Sequence, residues 1–218
     1  MDAIVAVYED WGIGAEGTQP VTLSADRRYF REKTQNAWVI VGRKTLGDFP
    51  GGRPLPNRVN LVLTRGNSEI PGARIVHSPG EALAAVAGQK AVFVIGGASV
   101  YGAMLPFCTR VYVTKVGACP PSDVFFPNLD QDPDWVCADA GPQCWEEGIS
   151  YRFCVYTRCS LGLIENGSWA PAAARLMRAE LEKMKELRLC ETDVSLRGAL
   201  NQTSEAQMDA LVTELCAE

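Results

Sequence analysis

The 218-residue chain has a single histidine, His77, and no two of its eight cysteines stand in CxxC spacing. A zinc site needs thiolates and imidazoles at short, regular spacing, so no metal is expected. Thiols scattered from Cys108 to Cys216 are the ordinary pattern of a cytosolic protein. No apolar run reaches the roughly 18 residues that span a bilayer, so no membrane partner is expected. The opening residues Met1 to Val5 lack a basic stretch and enter a strand directly. They do not read as a signal peptide, and a cytoplasmic location follows as the expectation. An excess of positive charge is also missing. The net charge is −5, which argues against a nucleic-acid partner. Internal repeats and low-complexity segments are absent as well.

What is present is ordinary for a soluble globular protein: 47% apolar and 22% charged residues. The length suits one large domain, or one domain and a fragment. Charge is uneven along it. Residues 161–218 carry 6 basic and 10 acidic side chains, whereas residues 1–160 carry 15 and 16. A boundary is expected near Cys159–Ser160.

Up to about residue 116, short Val- and Ile-rich runs alternate with helical segments. Strands are expected at Ala3–Tyr8, Ala37–Val41, Arg58–Leu63, Arg74–Val76, Ala91–Ile95 and Arg110–Val116. Continuous apolar runs of this length suit central strands covered on both faces. Helices fit between them at Ser24–Lys33, Arg43–Asp48, Pro79–Ala87 and Ala98–Leu105. Two later strands, near Trp135–Ala138 and Tyr151–Thr157, flank a hairpin turn at Trp145–Gly148. The sum is an α/β sheet with an antiparallel end. Beyond the boundary, a helix is expected from Pro171 to Leu187, a short strand at Val194–Leu196, and a last helix after Ser204 with Gln207 completing a capping box.

Asp26 stands in LSADRRYFREKT, where a helix meets the first buried strand. An acid there is either a helix cap or a proton donor. Three strand ends carry further chemistry. Gly42-Arg43-Lys44-Thr45 opens a helix, and helix-start N–H groups favour a phosphate. Leu63-Thr64-Arg65 places a hydroxyl beside a guanidinium, a plausible phosphomonoester site. Ile95-Gly96-Gly97-Ala98-Ser99-Val100-Tyr101 offers paired glycines before a helix, where a pyrophosphate can approach the backbone. It is not GxGxxG, so the standard dinucleotide fingerprint is absent. Trp11-Gly12-Ile13-Gly14, with Gly17 and Pro20, is a candidate mobile lid or a plain surface loop. Each motif alone also fits a polar strand end or a tight turn.

Their order and spacing resemble the dihydrofolate reductase family across residues 1–159, through IVAV…WGIG, LSADRRYF, VIVGRKT, GRPLPNRVNLVLTR, VFVIGGASVY, RVYVTK and SDVFFPNLD. The resemblance implies a central mixed, mostly parallel sheet of about eight strands with flanking helices, to which residues 160–218 add a mainly helical C-terminal extension. It implies reduction of dihydrofolate by NADPH, with hydride passing to C6. Asp26 would hold the pteridine and promote protonation at N5. Thr114 would hydrogen-bond Asp26, Phe30 would pack on the pterin and benzoyl rings, Leu55 would line the benzoyl pocket, and Arg58 would pair with the α-carboxylate of the glutamate tail. On the cofactor side, Ala6 and Ile13 would hold the carboxamide through backbone, and Ala6 and Ile95 would also touch the substrate. Arg43, Thr64 and Arg65 would grip the 2′-phosphate, and Gly14, Gly42, Lys44 and Leu63 would also contact the cofactor. Thr45 and Gly97 to Val100 would hold the pyrophosphate. Ile95 and Tyr101 would flank the nicotinamide, with the Gly96–Gly97 peptide cis.

The chain departs from the family pattern at Val21 and Leu46, where tryptophan is common, at Gln19 in the lid, and at Arg27, where an apolar residue is usual. The segment GLIENGSWAP with the helix after it resembles the C-terminal half of a flavodoxin-like domain of A-type flavoproteins. The half bearing the first strand and phosphate loop is missing, so flavin binding by this chain alone is not expected. A monomer or tail-mediated self-association is expected instead. A related reductase acting on another pterin or on a riboflavin-pathway pyrimidine is the rival enzyme reading, and an assembly module on a reductase scaffold is the third.

Overall fold

A computed structural model describes residues 1–66, 68–158, 160–166, 188–196 and 206–211. The chain divides into two compact units: Met1–Asp132 with Cys137–Thr157, and Pro133–Val136 with Arg158–Glu218.

The larger unit is built on a sheet. In chain order its elements are β1 (Asp2–Val7), β2 (Gly12–Gly14), α1 (Ser24–Thr34), β3 (Trp38–Gly42), α2 (Arg43–Gly47), β4 (Val59–Leu63), β5 (Ala73–Val76) and α3 (Pro79–Val86). There follow β6 (Val92–Gly96), α4 (Ala98–Met104), β7 (Arg110–Gly117), β8 (Val124–Phe125), β9 (Trp135–Ala140), β10 (Cys144–Glu146) and β11 (Ile149–Arg158). Eight strands follow one another in the order β10-β11-β7-β1-β6-β3-β4-β5, and β9 pairs with β11. Neighbours from β7 to β5 are parallel, and β11 runs antiparallel to both β7 and β10. The sheet is therefore mixed and mostly parallel, with its antiparallel end where the later strands were expected.

The apolar runs explain the centre of the sheet. Val39, Ile40 and Val41 of β3 and Leu61 and Val62 of β4 have no exposed surface, and all five residues of β6 are buried. Parallel strands of this kind are covered on both faces by their crossover connections. Their C-terminal ends all point to one edge, where α1, α2 and α4 begin or pass. In open α/β sheets that edge holds the ligand crevice.

Some expectations need correction. Only Glu147 and Gly148 form the late hairpin turn, with φ of 50° and 81°. Two positive φ values in succession are what a two-residue hairpin turn requires. Trp145 and Glu146 instead belong to β10, in register with Ser150 and Ile149. The short pair β2–β8 was not anticipated, because two- and three-residue strands leave no periodic signal.

In the smaller unit, β12 (Ser160–Asn166) pairs in parallel with β13 (Arg188–Leu196). The strand expected at Val194–Leu196 thus begins six residues earlier. Its partner strand, rather than an alternating pattern of its own, supports that length. Residues 206–211 are helical, with Leu211 buried. The helix expected at Pro171–Leu187, the segment from Gly167 to Ala170, and the apolar positions Val212 and Leu215 lie outside the described residues.

Candidate active site

At the C-terminal edge of the sheet lies a cleft of about 1890 Å³. Sites for one small ligand run to roughly 300–1,000 Å³, so the cleft has room for two. Its lining comes from the ends of β1, β3, β4 and β6, from one face of α1, and from the segments around residues 13–19 and 48–58.

On the α1 wall, Asp26 is the acid of the first helical turn. Its carboxyl is pushed up from the usual carboxylate range by burial, against the opposing pull of the Thr114 hydroxyl and the Arg27 charge. Thr114 lies on β7, in register with Ala6 of β1, and is fully buried. Its Oγ1 has no protein partner at full hydrogen-bond geometry; the Asp26 carboxyl is the group it influences. Asp26 does not cap its helix. Leu23 occupies the N-cap position and offers no side-chain bond. The free N–H groups of Ser24 and Ala25 donate instead to Glu146 Oε1 and Oε2, at 2.7 and 3.0 Å.

Further along the same wall stand Phe30, Leu55 and Arg58. Arg58 is held on three sides: Nε donates to Thr34 Oγ1 at 2.9 Å, one terminal nitrogen to the Pro56 carbonyl at 2.7 Å, and the other to the Arg31 carbonyl at 3.3 Å. A guanidinium has five N–H donors, so two remain for a ligand. Thr34 is itself buried and donates to the Phe30 carbonyl at 2.7 Å. Asn60 is buried in β4. Its Oδ1 accepts from Leu55 N–H at 3.0 Å, and its Nδ2 donates to the Leu55 and Arg58 carbonyls at 2.9 and 3.2 Å. These bonds fix the loop that presents Leu55 and Arg58.

The opposite wall is made of strand ends. Gly42, Arg43, Lys44 and Thr45 follow β3, and Leu63, Thr64 and Arg65 follow β4. At the end of β6 the Gly96–Gly97 peptide is cis, and Gly96 has φ 110°, a conformation open to glycine. A Cβ on Gly97 would lie 2.7 Å from Thr45 Oγ1, so a side chain there would require the Thr45 hydroxyl to shift. Ala98, Ser99, Val100 and Tyr101 continue the wall, and Tyr101 donates to the Ile4 carbonyl at 2.6 Å. Ile13 and Gly14 complete it in β2. That segment is tied down by β8 and by Glu16 N–H, which donates to Asp123 Oδ2 at 2.9 Å.

Every residue assigned from the sequence to substrate or cofactor lines this one cleft except Thr114, which lies behind Asp26, whereas Trp11, Gly12 and Pro20 of the candidate lid do not line it. Of the departures, Leu46 is buried in the core, and Val21 exchanges two backbone bonds with the Tyr8 hydroxyl. Gln19 and Arg27 face the cleft. Sequence reasoning missed Thr34, Asn60, Glu146, Asp123 and His77. Asn60 could have been found, as the polar residue in VNLVL. His77 lines the cleft beside Thr64, whose carbonyl its Nδ1 contacts at 2.9 Å.

The model of the dihydrofolate reductase family matches residues 1–158. The chain is 35% identical to the dihydrofolate reductase of Bacillus subtilis over 149 residues, which is 67% of this chain and 87% of that one. It is 34% identical to the enzyme of Staphylococcus haemolyticus, covering 71% of this chain and 93% of that one. Among solved structures, a dihydrofolate reductase from Enterococcus faecalis, complexed with NADP(H) and RAB-propyl, superposes with a TM-score of 0.66 at 34% identity, covering 72% of this chain and 95% of that one.

Proposed function

This chain belongs to the dihydrofolate reductase family and is an NADPH-dependent reductase of dihydrofolate, and we propose that Asp26 promotes protonation at N5 of the substrate. NADPH, when bound, supplies the hydride that C6 receives. The observation that carries the proposal is the setting of Asp26: a carboxyl on the α1 wall, pushed up by burial, backed by Thr114 and open to the cleft.

One carboxylate can accept two hydrogen bonds from the amide and amine edge of a pteridine. Asp26 then orients the ring, with N5 and C6 toward the strand-end wall. A raised carboxyl pKa suits a group that must exchange a proton near neutral pH. The acid reaches N5 by way of water rather than by direct contact. Phe30 and Leu55 cover the rings and the benzoyl group. Arg58, with two N–H groups left over, takes the α-carboxylate of the tail as a bidentate pair.

The strand-end wall fits NADPH. Arg43, Thr64 and Arg65 supply two guanidinium groups and a hydroxyl for the 2′-phosphate, and Gly42, Lys44 and Leu63 stand around them. Thr45 and Gly97 to Val100 hold the pyrophosphate, where the Thr45 hydroxyl lies against the space that a Gly97 side chain would need. Ala6, Ile13 and Gly14 receive the carboxamide through backbone, with Ile95 and Tyr101 beside the nicotinamide.

We read residues 1–159 as the reductase domain and 160–218 as an extension resembling part of a flavodoxin-like domain. The parallel pairing of β12 with β13 supports that reading, because parallel neighbours need a crossover connection. The function is tested by following NADPH oxidation on addition of dihydrofolate, with the Asp26→Asn variant as control. No oxidation by the wild-type chain, or wild-type turnover by the variant at pH 7, overturns the assignment.

A further inference from the structure

Asp26 sits third in a helix whose first turn should draw a carboxylate. The N–H groups of Ser24 and Ala25 have no partner inside α1, as for any helix start, and Leu23 cannot supply one. An acid at the third position can reach back toward the helix start, where the helix dipole favours a negative charge. Asp26 is the acidic residue of that turn. Were it to turn inward, it would be a cap, and its carboxyl would leave the cleft.

Glu146 already occupies this position. Its two oxygens take both N–H groups, from 122 and 121 residues away in sequence. The position of Glu146 is tightly specified. It is the last residue of β10, opposite Ile149, and the Glu147–Gly148 turn with both φ positive sets that register. A slip of one residue would turn its side chain to the other face. The same hairpin continues into β11, which pairs with β7 so that Phe153 stands opposite Thr114. One antiparallel array therefore carries both the group that occupies the helix start and the hydroxyl behind Asp26.

We propose that Glu146 is a positioning residue for the reaction, a cap supplied from a distant hairpin that keeps the Asp26 carboxyl turned toward the substrate. The inference rests on the role proposed for Asp26. Its chemistry is competition for two N–H donors. With Glu146 occupying them, Asp26 makes no hydrogen bond that would hold it in the ionised form at the helix start. Without Glu146, Asp26 is the acid of that first turn, and N–H donation to a carboxylate favours the charged form. The charged neighbours are Arg28 beside Glu146 and Arg27 beside Asp26. Tyr151 faces Glu146, and Tyr29 and Tyr101 face Asp26.

The test uses the full chain with Glu146→Ala and Glu146→Gln, measuring kcat and KM for both substrates from pH 5 to 9. The Ala variant is expected to lose about 3- to 10-fold in kcat at pH 7, with KM for NADPH within about twofold of wild type. The alkaline limb of its kcat profile moves to lower pH. The Gln variant, which keeps one acceptor oxygen, falls between. A lowered melting temperature with unchanged kcat and unchanged pH profile makes Glu146 a structural cap only and overturns the proposal. Should the Ala variant not fold, the Gln variant is judged by the same two readouts. Should the wild-type chain not reduce dihydrofolate, the functional reading fails on its own. Carbon-13 titration of Asp26 in wild type and Glu146→Gln then decides the inference: a lower Asp26 pKa in the variant supports it, and an unchanged one overturns it.

Discussion

The two walls of the cleft are built by different means. The α1 wall depends on side-chain bonds, two of them across long stretches of sequence, Glu146 to the helix start and Arg58 to Thr34, and one local, Asn60 to the loop before it. The strand-end wall depends on backbone, on close-set glycines, and on cations at its rim. Arg43 and Arg65 are exposed there, and a Cβ on Gly97 would crowd the Thr45 hydroxyl. A buried, cross-bonded wall suits a group that must hold one carboxyl in an unfavourable setting. A backbone wall with exposed cations suits a polyanionic cofactor that comes and goes. Substitutions on the first wall should therefore change chemistry and orientation, and those on the second should change affinity.

The largest effect is expected at Asp26. Asp26→Asn keeps the shape and removes the ionisable group, and turnover at pH 7 should fall by about 10²- to 10⁴-fold, the usual worth of a positioned acid or base. Stability should move the other way. The folded-state pKa of Asp26 is raised above its unfolded value, so its contribution is fully present below the unfolded pKa and is lost as pH rises through the folded one. At neutral pH the ionised group opposes folding. The Asn variant should therefore melt at a higher temperature than wild type at pH 7, with the gap closing below about pH 4, the ordinary carboxylate range. Equal melting temperatures at pH 7 would mean that burial costs Asp26 nothing.

Next in size is Arg58→Leu. Loss of a charge-assisted pair costs about 1.5–3 kcal/mol, so KM for dihydrofolate should rise roughly 10- to 100-fold. A substrate lacking the glutamate tail should show almost no change. Thr34→Val should give a smaller rise of the same kind, since it frees Arg58 Nε without removing the charge. If both substrates suffer equally, Arg58 supports the loop and not the tail.

On the other wall the effect should be smaller and confined to the cofactor. Arg65→Ala should raise KM for NADPH by about 5- to 10-fold and leave KM for NADH almost untouched, because only the former carries the extra phosphate. An equal loss for both cofactors would remove the contrast between the walls.

The same contrast governs how much could be read from sequence. The strand-end wall is written in contiguous motifs, GRKT, LTR and IGGASVY, each at the end of an apolar run. The parallel sheet was legible for the same reason, since its central strands are short Val- and Ile-rich runs that no helix period fits. The α1 wall was legible only in its recognisable residues, Asp26, Phe30 and Arg58. Its supports were not. Glu146 was hidden in the expected turn, where a charged residue beside glycine reads as solvated. Thr34 looked like an ordinary helix end. Bonds that join residues 24 and 146 exist only once the sheet has brought β10 back beside α1, and no local pattern records them.

Arg27 gives the smallest predicted effect and the sharpest one. It follows Asp26 on α1, is exposed, and lines the cleft. Its positive charge favours the ionised form of Asp26. Arg27→Leu should therefore raise the Asp26 pKa and carry the alkaline limb of the kcat profile to higher pH, with kcat at pH 7 changed by no more than about threefold, because an exposed charge is screened by water and salt. Glu146→Ala should carry the same limb to lower pH. Two substitutions on either side of one carboxyl, made in regions of the sequence 119 positions apart, should thus displace one profile in opposite directions. In 0.5 M salt the Arg27 displacement should shrink, since it is Coulombic, while the Glu146 displacement should persist, since it arises from hydrogen bonds at the helix start. A common direction for both would show that the limb belongs to a group other than Asp26.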